Sequence, residues 1–197
     1  MAADTFLALV AFAFVTSVTP GPNNFMLLAS GVNFGFVRTF PHMCGIATGF
    51  ASLLLGVGFG LGALLQSWPA LHILLKIAGG SYLLYLAWKI AGSRALAEGE
   101  AVSRPLTLLQ AAAFQWVNPK AWMMALTAMV LFADPAQPRL SVVLVAAAFV
   151  LVNFPSVSIW AGFGTVLRRA LSEPRRLRWF NMTMGILLVA TLIPMML

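Results

Sequence analysis

Thr19-Pro20-Gly21-Pro22-Asn23-Asn24 interrupts the first long apolar stretch of this chain, and Asn118-Pro119-Lys120 interrupts a later one. Proline removes a backbone donor and clashes with the turn before it. Hydrocarbon offers nothing to satisfy the carbonyls so freed, and such breaks persist in a bilayer only where they are buried in protein or line a polar cavity. Two interrupted segments at corresponding places in two halves of a chain point to a transporter's substrate site. The two breaks therefore bear on fold and function together.

Composition fixes the class. Of 197 residues, 61% are hydrophobic and 9% charged, and the mean hydropathy is +0.93. Soluble domains carry about a quarter charged residues. An all-α, polytopic membrane protein is expected, a single transmembrane domain over 1–197 with no room for an added soluble one. Met1-Ala2-Ala3-Asp4 lacks a positive n-region and no small-residue cleavage site closes the first apolar run, so the first segment is expected to stay in the membrane.

At about 20 residues per span, the sequence divides into six helices, near 5–30, 41–65, 70–91, 106–132, 140–165 and 178–197, with the first and fourth broken. Trp68, Tyr82, Tyr85 and Trp88 suit an interface at the ends of the third. The loops after helices one, three and five share one side. That side holds Arg38, Lys89, Arg94, Arg104, Arg168, Arg169, Arg175, Arg176 and Arg178, against Lys76 and Arg139 opposite. This bias places the basic side in the cytoplasm and both termini outside. The net charge of +7 is thus topological and calls for no nucleic-acid partner.

Three spans per half is an odd number, so the halves, approximately 1–92 and 105–197, must be inverted. An inverted three-plus-three repeat with a cytoplasmic linker at 93–104 is the simplest arrangement. Gly56/Gly60 and Gly58/Gly62 offer small faces for close helix contact.

At each break a half-helix begins inside the membrane, with unpaired N–H groups and a positive dipole end. Asn23 and Asn24 are placed to cap the first or to bond a ligand, and a carboxylate is the natural guest. Asn118 suits an N-cap and Pro119 the first helical position, and Lys120 adds a full charge. Thr19, Pro20, Gly21, Pro22, Asn23, Asn24, Asn118, Pro119 and Lys120 are the candidate substrate-binding residues. The plainer alternative makes both breaks packing kinks. A variant of it starts the fourth helix at Pro119 and leaves Lys120 at headgroup depth. Asp4, Glu98, Glu100, Asp134 and Glu173 lie outside spans or at their ends, so no intramembrane carboxylate offers a proton relay. His42 and His72 read as interfacial, and Cys44, being alone, as a packing residue. No catalytic set, metal cluster or cofactor is expected.

With these residues in hand, the chain resembles the LysE/RhtB family of amino-acid exporters over essentially its whole length. The resemblance rests on the six hydrophobic segments, Thr19-Pro20-Gly21-Pro22-Asn23, Asn118-Pro119-Lys120, and the run from Tyr82 to Lys89. The runs 114–118 and 86–91 look nearest the cysteine/O-acetylserine branch. The resemblance implies secondary active efflux of amino acids or close derivatives (cysteine, O-acetylserine, threonine/homoserine type) across the bacterial inner membrane. The coupling ion would be a proton, and there is room for a homo-oligomer. The absence of a phosphate-binding loop agrees with an ion gradient rather than ATP. A dibasic substrate would want a buried carboxylate, so a neutral one is favoured. The alternatives are an exporter of basic amino acids or of a metal ion in the same superfamily, and less favoured still a membrane-embedded enzyme.

Overall fold

The computed structural model describes residues 1, 3–93 and 104–193; most of the 93–104 linker, with Arg94, Glu98 and Glu100, lies outside them, as does the side chain of His72. Helices make up the regular structure of the described residues, and none of these is in a strand. In chain order they are α1 (Ala3–Val18), α2 (Pro22–Phe34), α3 (Phe36–Gly56), a π-helical stretch (Val57–Leu61), α4 (Gly62–Ser67), α5 (Pro69–Ala91), α6 (Leu108–Val117), α7 (Pro119–Phe132), α8 (Pro138–Ala170) and α9 (Pro174–Ala190).

Proline sets many of the starts. Pro22, Pro69, Pro119, Pro138 and Pro174 each open a helix, at the position where a missing N–H costs nothing and the fixed φ is already helical. Pro41 and Pro155 instead lie inside α3 and α8. Pro41 falls in the second turn of α3, where the helix has few earlier bonds to lose. Thr107 and Gln110 form a reciprocal capping box that starts α6.

Several boundaries differ from the sequence expectation. The first two spans are separated by no loop at all: Gly35 alone joins α2 to α3, at φ +81°, a backbone conformation that favours glycine. The fifth helix runs 33 residues, ending in Arg168 and Arg169, cations that suit a helix C-terminus. The glycine run 56–62 packs as expected at its ends, where a Cβ on Gly56 would meet Trp116 of α6 and one on Gly62 Leu126 of α7, but not at Gly60. It forms the π-helical stretch, with Gly60 at φ +119° and open space where a Cβ would project. Gly58 does abut Val142 and Met129.

Three helical lengths are each long and apolar enough to cross a membrane, Phe36–Leu65, Ile73–Ala91 and Pro138–Ala170. The α1–α2 pair, bent by 57°, makes a fourth as one broken span. The helices α6 and α7 fall short singly, and α9 has 17 residues with three arginines near its start. The exterior agrees with lipid: Val37, Val130, Leu151 and Val166 are all more than 70% exposed.

The close crossings are made by small residues elsewhere. Where α2 meets α8, a Cβ on Gly31 would stand 2.2 Å from the Ala161 carbonyl oxygen, and one on Gly164 2.3 Å from that of Leu28. Where α3 meets α6, Gly45 and Gly49 repeat this against Leu108 and Ala112, at 2.3 and 2.5 Å. These two crossings, with α3 on α8 and α5 on α9, are the main helix contacts. Backbones approaching this closely gain packing that lipid cannot supply.

Candidate functional site

Both breaks meet at the centre of the bundle. The freed carbonyls of the first are satisfied one by one. Asn24 donates to the Ser17 carbonyl at 3.0 Å and to that of Thr19 at 2.8 Å. The Trp160 indole, from α8, donates to the Val18 carbonyl at 3.2 Å. Lys120 Nζ donates to Thr19 O at 2.6 Å and lies 3.4 Å from Pro20 O, and the Thr19 hydroxyl donates to the Val15 carbonyl. The second break is served alike: Trp122 Nε1 donates to the Trp116 carbonyl at 2.7 Å. Buried backbone groups in an apolar medium require such partners; Asn24 and Trp122 serve their own breaks, Trp160 reaches in from α8, and Lys120 crosses from one break to the other. That requirement draws the two breaks together.

The helix starts differ. Asn118 caps α7, its side chain accepting from the Lys120 backbone N–H at 3.2 Å. At α2 the N-cap is Gly21, fully extended, with no side-chain cap. Asn24, expected to serve this start or a ligand, is instead turned back onto the end of α1. Asn23 pairs with Gln115 of α6 through two reciprocal amide bonds of 2.8 and 3.0 Å. The Lys120 side chain lies flat on Gly21, where a Cβ would come within 2.8 Å of its Cδ. The ammonium thus occupies the Thr19 and Pro20 carbonyls.

Around these residues lies a small cavity, lined also by Thr16, Ser17, Ile46, Phe50, Met124, Asn153 and Val157. Pro22, Asn24, Gln115 and Asn118 are buried, whereas Thr19 and Pro20 are exposed. Asn153 comes from α8 and is 5% exposed. Its Nδ2 donates to Ser17 Oγ at 3.0 Å, while its Oδ1 is buried without a partner. An unmet acceptor of this kind costs about 1–3 kcal/mol.

Ser17, Gln115 and Asn153 escaped the sequence reading as site residues. Their signal was present: each is a polar side chain inside an apolar stretch, where lipid exposure is costly. A second polar cluster was equally unread. Asn33 of α2 and Asn181 of α9 exchange amide bonds of 2.8 and 3.1 Å, and Asn181 also donates to the Ser93 carbonyl. His42, expected at an interface, is 1% exposed. Among the described residues no group of His, Cys, Asp and Glu is arranged to hold a metal ion.

The family model described as LysE type translocator matches residues 14–193. The chain belongs to that family. This LysE type translocator is accordingly a multi-pass membrane transport protein and not an enzyme. The cysteine/O-acetylserine efflux proteins of Escherichia coli (strain K12) and Shigella flexneri are each 32% identical to it over 182 residues, covering 90% of either chain. No solved structure matches it.

Proposed function

We propose that this translocator is a secondary active exporter of neutral amino acids or close derivatives, of the cysteine, O-acetylserine and threonine/homoserine type. The observation that carries the reading is a pair of opposite poles lining one cavity: the Lys120 ammonium and the unpartnered Asn153 carbonyl oxygen. A zwitterion at bilayer depth needs both of its charges matched. Its carboxylate takes Lys120 and the uncapped start of α2, where the helix dipole adds to the attraction. Its ammonium takes Asn153 Oδ1. The cavity's lining includes no carboxylate for a second cationic group, which favours a neutral side chain. Names of the relatives agree with this substrate class.

Six spans in inverted halves complete the proposal, with α1–α2 and α6–α7 as broken spans one and four. On this reading span one crosses span five at Gly31/Gly164 through its second half, α2, and span four crosses span two at Gly45/Gly49 through its first half, α6. Alternating access then rocks one half against the other about the central site. Energy comes from an ion gradient, with the proton as coupling ion. The protein lies in the bacterial inner membrane with both termini outside.

Two experiments test this. Cells producing the protein should export and resist cysteine, O-acetylserine or homoserine in a panel of amino acids, and not lysine or arginine; a response confined to basic amino acids or metal ions would sink the substrate class. For topology, single cysteines at Ser93 and Ala2 in a Cys44→Ala background should label oppositely. An impermeant reagent is expected to reach position 2 from outside and not position 93, and the reverse pattern overturns the orientation.

A further inference from the structure

We propose that His42 carries the coupling proton, a role that rests on the export reading above. His42 is 1% exposed on α3, and neither Nδ1 nor Nε2 has a hydrogen-bond partner. A neutral imidazole presents one donor and one acceptor, and a buried group left unmet in this way calls for a reason beyond packing. Its surroundings supply one. His42 lines a small cavity together with Ser30 and Asn33 of α2, Lys89 of α5, Ser93 and Arg104.

This cavity is stacked on the central one. The helix α2 gives Asn23 and Asn24 to the central cavity and Ser30 and Asn33 to this one, and α3 gives Ile46 to the central cavity and His42 to this one. On α3 the two lining residues are one turn apart, about 6 Å along the axis. Lys89 and Arg104 belong to the arginine-rich side, so the His42 cavity is the one nearer the cytoplasm.

The described helices hold few other candidates. Asp4 opens α1, and Asp134 and Glu173 lie between helices. Lys120 already holds two carbonyls. Histidine is the side chain whose ordinary range spans pH 5 to 8. The charged groups facing His42 are Lys89 of α5 and Arg104; α2 and α6 have no titratable side chain. In α7 there is only Lys120, in the other cavity, and α8 has Arg139, Arg168 and Arg169 at its ends. Among the described residues lining this cavity are two cations and no carboxylate, so none of them offers an imidazolium a counter-ion. In the cycle, a proton from outside adds to the free ring nitrogen when that side opens. After the halves rock, the same proton leaves His42 for the cytoplasm, and the substrate travels the other way.

The test uses full-length protein in liposomes and radiolabelled O-acetylserine, comparing counterflow without a gradient to movement driven by an imposed pH gradient. Wild type should show both, with gradient-driven accumulation several-fold above the counterflow level. His42→Gln should keep counterflow within about twofold while its gradient-driven component vanishes; His42→Asn repeats the test with a shorter amide, and His72→Gln should behave as wild type. A His42→Gln protein that still accumulates substrate on a pH gradient at the wild-type ratio overturns the proposal. A pH dye inside wild-type liposomes gives a reading independent of any variant: proton movement should accompany outward substrate flow, and its absence also overturns the assignment. Wild type without counterflow of any amino acid would instead overturn the export reading itself.

Discussion

Lys120→Met is expected to cut export by about ten- to a hundredfold at matched membrane levels, the equivalent of one charge-assisted hydrogen bond of about 1.5–3 kcal/mol. Methionine keeps the length and apolar stem of the side chain but removes the only cation lining the central cavity. Folding should survive. Thr19 O keeps its bond from Asn24. Lys120→Arg is expected to fail as well. The lysine stem already lies against Gly21, and a forked guanidinium needs more room and a different donor geometry than a compact ammonium. Efflux from substrate-loaded proteoliposomes measures both. Wild-type rate and affinity in Lys120→Met would reduce the lysine to a tie between the two breaks.

Gly31→Val should have the largest effect on the folded protein. Its Cβ would fall 2.2 Å from a backbone carbonyl oxygen and 3.1 Å from the Gly164 Cα, so no side-chain rotation relieves the clash and α2 must move off α8. Overpacking of this kind costs about 1–3 kcal/mol and sometimes more, a large part of a total stability of about 5–15 kcal/mol. Separating α2 from α8 would also carry Asn153 away from the site. The variant is expected to lose most of its detergent-extractable monodisperse protein, whereas Gly162→Ala, on α8 with open space at its Cβ, should purify as wild type. Equal yields and melting temperatures for the two would show that the crossing is looser than its geometry implies.

The breaks were legible because proline acts locally: the interruptions at 19–22 and 118–119 follow from chemistry that needs no partner. Their meeting was legible too, since unpaired carbonyls in a membrane must find donors inside the protein. Which donors was not. Asn24 lies at the start of α2, which suggests a cap, yet it turns back onto Ser17 and Thr19, because the bend between α1 and α2 brings those carbonyls beneath it. The Asn33–Asn181 pair joins residues 148 apart in sequence, and only the packing of α2 on α9 decides that they face each other. The glycine run 56–62 was half legible for a related reason: Gly56, Gly58 and Gly62 make the expected close contacts and Gly60 does not. Its spacing fits a contact face, but glycine also permits the positive φ at Gly60, and spacing alone does not choose between these uses. His42 was assigned to an interface from its place near a span end, whereas α3 begins directly after Gly35 and carries it well into the bundle.

The central claim is that a neutral amino acid occupies the cavity between Lys120 and Asn153. Substrate protection tests it most directly, with a single cysteine replacing Met124, which lines that cavity and is 8% exposed, in a Cys44→Ala background. Saturating O-acetylserine or cysteine analogue should slow alkylation of this cysteine severalfold, lysine should not, and adding Asn153→Leu should remove the protection. Alkylation at one rate with every amino acid, in a protein that still transports, would contradict the account.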